Sequence, residues 1–341
     1  MPMDLLGKTT DELREIVKTL NMPAYTAKQL SEWLYRKKAV SFDEMTNISL
    51  KHRQLLQSHH HIGRSPVAGQ QRSADGTVKY LFQVGEGRFI ESVYIPDKDR
   101  ATLCVSSQIG CKMNCLFCMT GKQGFAGQLT AGEILNQIFS IPESDALTNV
   151  VFMGMGEPLD NPTEVFKALE ILTSDDGLAW SPKRITLSTI GLLPALQNFL
   201  ETSKVHLAVS LHSPYSTERR AWMPIEKLYP AATVIDLIRR YDFLHQRRVS
   251  FEYIAFGGLN SDLQHAIALA RLLKGLPCRV NLIRYHAIPH IDLPASDFSE
   301  MEAFRDYLNS QGITCTIRAS RGEDILAACG MLSTQKMKIF K

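Results

Sequence analysis

Apolar and polar positions follow three different rhythms along this 341-residue chain. Near the amino terminus Leu13, Ile16, Val17 and Leu20 recur at the helical period, and Thr9 or Thr10 stands where an N-cap belongs. A second helix is expected to begin near Thr26 and to bury Leu30, Trp33 and Leu34. Between residues 66 and 96 the period changes to two. Asp75-Gly76 marks a turn, Val78, Tyr80, Phe82 and Val84 alternate as on a half-buried strand, Gly85 and Gly87 mark a second turn, and Phe89 to Ile95 return. This is a β-hairpin joining a small helical domain to a larger one. From residue 101 onward, short β-branched runs recur at 101–107, 148–154, 184–190, 205–211, 249–256 and 279–285, with helical patterns such as 130–140, 162–173 and 233–246 between them. That alternation predicts an α/β fold of six βα units around a parallel sheet. Periodicity leaves two geometries open, a partial barrel and a flat doubly wound sheet.

In both geometries ligands collect at the carboxyl ends of the strands. The polar residues obey that rule. A cysteine-rich loop follows the first run, Gly154-Met155-Gly156-Glu157 ends the second, and Ser188 and Thr189 end the third. Ser210 and His212 end the fourth, and Asn281 and His286 bracket the end of the sixth. A ring of such residues predicts a pocket, although any single member serves equally well as a strand cap.

Composition narrows the class. With 45% hydrophobic and 21% charged residues the chain suits one large core with a small accessory domain. A net charge of +3 is compatible with an RNA partner without requiring one. The basic residues Arg36, Lys37, Lys38, Lys51, His52 and Arg53 read either as a solvated face or as phosphate contacts. Lys112, Lys122, Arg219 and Arg220 carry the same two readings. The start of the chain lacks the pattern of a signal peptide, and no apolar run approaches transmembrane length, so a soluble, cytoplasmic protein is expected.

Seven cysteines are an odd number, and four of them, Cys104, Cys111, Cys115 and Cys118, crowd one stretch. That spacing predicts an intracellular metal site rather than a disulfide framework. Cys111, Cys115 and Cys118 on one loop can hold three irons of a cubane, leaving the fourth iron open for chemistry. The competing reading is a structural zinc completed by Cys104, which lacks the second CxxC knuckle usual in such sites. Gly154-Met155-Gly156-Glu157-Pro158, after an apolar run, lets a ligand approach the backbone. Cys278 and Cys315 read as core residues.

The pairing of these two motifs resembles the radical S-adenosylmethionine (SAM) superfamily. Longer stretches resemble its RlmN/Cfr family of RNA methyltransferases: Arg100 to Cys111, Thr120 to Phe125, Phe152 to Pro158, Leu187 to Gly191, Ser210 to His212, Asn281 to Ile283 and Asp324 to Gly330. The resemblance covers nearly the whole chain. It implies a partial (β/α)6 radical SAM barrel over residues 97–330, ending in a catalytic loop. An RNA-binding helical domain at 1–65, a hairpin at 66–96 and a tail at 331–341 complete the division. It assigns a [4Fe–4S] cluster to Cys111, Cys115 and Cys118. SAM falls to Gly156, Glu157, Ser188, Ser210, Leu211 and His212. His286 stands where the family has asparagine, and its imidazole can also hydrogen-bond a ribose or adenine. Cys329 becomes the methyl carrier, Cys104 its partner thiol in a transient disulfide, and Glu91 a proton acceptor.

The implied chemistry suits an adenine carbon, which is too poor a nucleophile to take a methyl group directly from SAM. Two SAM molecules are expected per turnover: one methylates Cys329, and the other supplies the radical that activates the S-methyl group. Expected partners are 23S rRNA and also tRNA, with an electron donor such as flavodoxin, and the enzyme is expected to be a monomer. The stretch around the cysteines favours C2 methylation, whereas Ser210 to Ser216, Met223 to Ile225 and Asn281 to Tyr285 lean toward C8. The alternatives are a radical SAM enzyme acting on a non-RNA substrate and a zinc-stabilised, non-catalytic RNA-binding protein.

Overall fold

The computed structural model describes residues 3–243 and 247–334. Strands β1 (Met3–Asp4) and β2 (His60–His61) pair in parallel and tie together the ends of an amino-terminal helical region. Its first helix, Thr10–Thr19, opens with a capping box in which Glu12 N donates to Thr9 Oγ1 and Thr9 N donates to Glu12 at 2.8 Å. Helix Thr26–Ser31 continues into a π-helical turn, Glu32–Arg36, that buries Leu34 and Tyr35. The basic run after it is largely committed to protein contacts. Arg36 Nε donates to Gly177 O at 3.0 Å, Lys38 pairs with Asp145 at 2.6 Å, and Arg53 donates to Asp43 O at 2.7 Å. With Lys167 and Glu12 at 2.8 Å, the Arg36 and Lys38 contacts fasten the helical region to the rest of the chain, while Arg53 closes on its own region.

Strands β3 (Gly69–Arg72), β4 (Val78–Gln83) and β5 (Phe89–Asp97) form an antiparallel meander that continues into β6 (Arg100–Cys104). The hairpin expected from the alternation is therefore part of the main sheet. Strand β4 is buried on both faces rather than one, because Lys79 Nζ meets the Glu91 carboxylate at 3.2 Å in the interior. A short ribbon, β7 (Gln108–Ile109) with β8 (Gly127–Gln128), brackets the cysteine loop.

From β6 the sheet runs in parallel through β9 (Asn149–Phe152), β10 (Ile185–Thr189), β11 (His206–Ser210), β12 (Val249–Ala255), β13 (Cys278–Arg284) and β14 (Thr314–Ile317). Six parallel strands were expected, and β14 is a seventh. Its four residues, Thr-Cys-Thr-Ile, are too short and too polar to stand out as a run. Helices Ala131–Phe139, Pro162–Thr173, Leu193–Thr202, Ala231–Ile238, Leu263–Leu273 and Phe298–Ser310 connect the strands. The helix expected over 233–246 ends at Ile238, where Arg240 N to Leu237 O and Tyr241 N to Ile238 O tighten the chain into turns. Residues 244–246 lie outside the described residues.

The sheet is curled. Strands β9 and β14 are five positions apart, which is about 24 Å in a flat sheet at roughly 4.8 Å per strand. Yet Arg318, just past β14, reaches Met153, just past β9, with Nη1 3.9 Å from Sδ. The main apolar core runs from Leu5 and Leu34 in the helical region to Leu282 and Phe304 in the barrel, and a second cluster around Phe117, Trp222 and Phe256 lies apart from it. No helix among the described residues is long and apolar enough to cross a membrane.

Candidate active site

At the carboxyl ends of the parallel strands lies a cleft of about 820 Å³ including its open mouth, within the range of ligand pockets. It brings together Cys111, Cys115 and Cys118, then Gly156 and Glu157, then Ser188, Ser210 and His212, and finally Cys329. Phe117, Met153, Thr189 and Ile254 supply apolar and polar wall between them.

The cysteine loop is closed by a contact only glycine permits. Cys111 N donates to Gly124 O at 3.2 Å, and a Cβ on Gly110, whose φ is +73°, would lie 1.6 Å from that oxygen. Burial, followed by the proximity of the other thiolates, pushes Cys115 well above a normal thiol. Burial and Cys118 push Cys111 up to about 12, although the Met113 N–H donates to its sulfur. Three thiols so close together become thiolates readily only against a cation. Among the described residues no three His, Cys, Asp or Glu side chains converge on one point as a single-ion site requires. A cubane asks for less convergence, since each thiolate takes a different iron, so this donor set fits the cluster better than one zinc ion.

After β9 the chain passes under Gln108. Gly156, at φ +100°, has no room for a Cβ, which would sit 2.5 Å from the Gln108 side chain. Glu157 is buried, and its carboxylate is already engaged by Thr189 Oγ1 at 2.6 Å, Ile190 N at 3.0 Å and Leu159 N at 3.1 Å. Burial nevertheless pushes it up to about 7. Its side chain thus orders the ends of β9 and β10, and the neighbouring backbone faces the cleft.

His212 occupies the left-handed region at φ +60°, a strained setting for a side chain of this size. It is held there by Ile254 N donating to Nδ1 at 3.0 Å and by Asn260 Nδ2 donating to its carbonyl at 2.7 Å. The Phe117 ring meets it edge-on, with centroids 4.9 Å apart. Burial, then the Arg219 charge, pushes its pKa down to about 3, so the ring is neutral and Nε2 carries the proton.

Cys329 lies on a carboxyl-terminal loop anchored on both sides. Upstream, Ser73 Oγ donates to Asp324 at 2.6 Å and Gly322 N donates to Asp75 at 3.0 Å. Downstream, Met119 N donates to Gly330 O at 2.7 Å and Thr120 Oγ1 to Leu332 O at 2.8 Å. These bonds lay the loop against the cysteine loop. Cys329 is open to the cleft, and the protein walls around it raise its thiol pKa. Cys104, at the end of β6, is buried. Burial and then the nearby Cys329 push it up to about 12. All seven cysteines are free thiols.

Four expected residues lie outside the cleft lining, the buried Cys104 and three others. Leu211 packs into the core, leaving only its backbone near the site. Glu91 sits beneath the loop, paired with Lys79 at 3.2 Å and accepting from Ser333 N at 3.0 Å, with its pKa raised by burial against the opposing pull of Lys79. His286 follows the end of β13, where the chain leaves the sheet, and turns toward Glu323, 3.2 Å away but off the line of a hydrogen bond. Arg219, one of the four cations considered for RNA, is fully buried. It pairs with Glu226 and donates to Leu211 O, Ser210 O and Ile190 O, capping β10 and β11. Lys112 pairs with Asp160 at 2.9 Å, while Lys122 and Arg220 are exposed.

One residue was missed. Glu252 lines the cleft from the middle of β12, and the signal was a lone carboxylate inside an apolar strand. Its Oε1 accepts from Asn281 at 2.7 Å and Ser250 at 3.0 Å, whereas Oε2 is buried without a hydrogen-bond partner, 3.8 Å from Arg318.

A curled parallel sheet with three cysteines and a glycine-rich turn at its carboxyl edge defines a radical SAM enzyme. Residues 105–272 match the Radical SAM superfamily model, and residues 3–62 match that of the ribosomal RNA large subunit methyltransferase N-terminal domain. The chain is 64% identical to the probable dual-specificity RNA methyltransferase RlmN of Parabacteroides distasonis, over 98% of each chain. Its counterpart from an Anaeromyxobacter species is 40% identical over 97% of this chain and 91% of its own. The crystal structure of a radical SAM methyltransferase from Sphaerobacter thermophilus superposes with a TM-score of 0.91 at 38% identity, covering 97% of this chain and 99% of that one. The chain belongs to the RlmN family of radical SAM RNA methyltransferases.

Proposed function

We propose that this enzyme methylates C2 of adenine in both 23S rRNA and tRNA, with Cys329 as the methyl carrier. The observation that carries the reading is Cys329 held open to the same cleft as Cys111, Cys115 and Cys118, with Cys104 beside it. The dual specificity follows the name that its relatives carry. When bound, the [4Fe–4S] cluster and SAM supply a transferable methyl group and a hydrogen-abstracting radical.

The chain's own residues do the rest. Cys111, Cys115 and Cys118 hold three corners of the cluster. The backbone at Gly156 and the side chains of Ser188, Ser210 and His212 hold SAM. His212, neutral with its proton on Nε2, acts as a hydrogen-bond donor at every physiological pH. Glu252 Oε2, buried without a hydrogen-bond partner and 3.8 Å from Arg318, adds a carboxylate charge behind the same wall. The anchored loop keeps the Cys329 sulfur over the cleft, so that an S-methyl group on it faces an adenine flipped in from the mouth. Once carbon is bonded to carbon, the ring gives up its proton to Glu91 and one electron, for which the bound cluster would be the acceptor. Cys104 then attacks the Cys329 sulfur: the S–S bond forms, the bond from that sulfur to the methylene carbon breaks, and the released carbon takes up the Cys104 proton to complete the methyl group. With its pKa near 12, Cys104 stays protonated until that step, so it does not compete with Cys329 for the methyl group.

The Cys329→Ala enzyme should lose methylation completely while retaining the iron of the wild type. Sustained turnover by that variant would exclude the carrier role. Cys104→Ala should accumulate a covalent protein–RNA species on denaturing gels, and its absence from an active preparation would remove Cys104 from the release step.

A further inference from the structure

A second concentration of charge lies at the opposite end of the barrel. A cleft of about 920 Å³ including its mouth opens at the amino-terminal ends of the parallel strands. Lys183, His206, Arg247, Arg248, Arg279 and Thr314 line it, and no carboxylate does so among the described residues. Arg248 N donates to His206 Nδ1 at 2.9 Å, which leaves the ring proton on Nε2 and makes the imidazole a donor. Burial and the charges of Arg248, Lys183 and Arg247 keep that ring neutral.

The charge continues up the barrel. Arg248 lies close enough to Arg279, Arg100 and Arg318 to feel each of them, with Glu252 as the one opposing carboxylate, so the cations remain in excess. Strand alternation explains the convergence. Arg100 shares a face of β6 with Cys104, Arg279 shares a face of β13 with Asn281 and Ile283, and Arg248 is in step with Ser250 and Glu252. Arg318 ends the series at the wall of the reaction cleft, 3.8 Å from Glu252 and 3.9 Å from Met153. Asp97, on the adjacent hairpin, is held by Arg321 at 3.2 Å.

Cations gathered this closely oppose folding unless an anion joins them. One phosphate would leave most of the charge unmatched, whereas successive phosphates of one strand would match it, with arginine forks suited to each.

We propose that Arg279, Arg248, Arg247, Lys183 and Arg100 form a phosphate-binding track for the backbone of the RNA whose adenosine enters the reaction cleft. The proposal rests on RNA being the substrate. It is tested with full-length, cluster-reconstituted enzyme carrying Arg248→Gln and Arg279→Gln, by binding a fluorescein-labelled 23S rRNA hairpin across a series of KCl concentrations. The slope of log affinity against log salt should become shallower by about 2, and affinity at low salt should fall about tenfold, equally for a hairpin lacking the target adenosine. RNA-independent SAM cleavage should stay at the wild-type rate. An unchanged slope with wild-type RNA binding would overturn the track and leave the RNA substrate intact. No RNA binding by the wild type would overturn both. Inorganic phosphate raising the melting temperature of the wild type alone, with RNA slopes unchanged, would assign the cleft to a free anion instead. If the double variant melts early, Lys183→Gln with Arg100→Gln repeats the test at two exposed positions.

Discussion

His206 and His212 are both kept neutral by burial, with pKa values pushed down to about 4 and about 3. An unfolded histidine titrates near 6.5, so between about pH 4 and 6.5 unfolding takes up protons at both sites. Their contribution to stability is therefore complete above about pH 6.5 and is lost as pH falls through that window. Glu157, raised to about 7, works in the opposite direction: its burial costs stability as pH rises from about 4.5 to 7. The comparison that isolates the histidines is a His206→Asn, His212→Asn variant. Its amide oxygens can replace Nδ1 as acceptors, and asparagine tolerates the left-handed backbone at position 212. Urea midpoints at pH 5 and pH 7.5 should show the wild type losing more stability on acidification than the variant, and equal losses would contradict the assignment. At Gly110 a single methyl group is enough to disrupt the cysteine loop. Gly110→Ala should fold yet retain well under half of the wild-type iron and sulfide, and full occupancy would show that the loop closes another way.

Among the elements, the strand ends are held by side chains that sequence pattern does not reveal. Arg219 looks like a surface charge beside Arg220, but it caps β10 and β11 from within and neutralises Glu226. Arg219→Ala leaves a buried carboxylate and three carbonyls without their partner. The expected loss is about 3–5 kcal/mol of unfolding free energy, read from denaturant midpoints, and a loss below about 1 kcal/mol would mean that water enters the site. The other six parallel strands and the hairpin were legible because their periods of apolar residues are unbroken. Strand β14 was not, because burial of Cys315 on one face leaves polar threonines on the other. The end of the helix at Ile238 was likewise invisible, since apolar residues continue past the point where the backbone turns. The basic run at Arg36 to Lys38 carried two readings, and contacts with Gly177 and Asp145 from distant sequence gave most of it a third role.

For the whole molecule, curling of the sheet turns a linear list of motifs into one site. Cys111, Gly156, Ser188, Ser210 and Cys329 are spread over more than two hundred residues, yet they line one cleft. The cysteines and the glycine turn were legible because their chemistry demands fixed spacing. His286 lies outside the cleft lining because its direction depends on how the chain leaves β13, and Glu252 was overlooked because one polar residue in a strand has no period. The same curl explains why the meander from β3 to β5 belongs with the barrel. It supplies Ser73, Asp75 and Glu91 to the loop that carries Cys329. The most direct test of the account is product analysis. The enzyme is reconstituted anaerobically with iron and sulfide, then incubated with SAM, a reductant and unmodified 23S rRNA. The digested RNA is resolved by chromatography with mass spectrometry. The account predicts 2-methyladenosine from the wild type and none from Cys329→Ala. An 8-methyladenosine peak would contradict the proposed regiochemistry, and unmodified adenosine despite SAM cleavage would contradict 23S rRNA as a substrate.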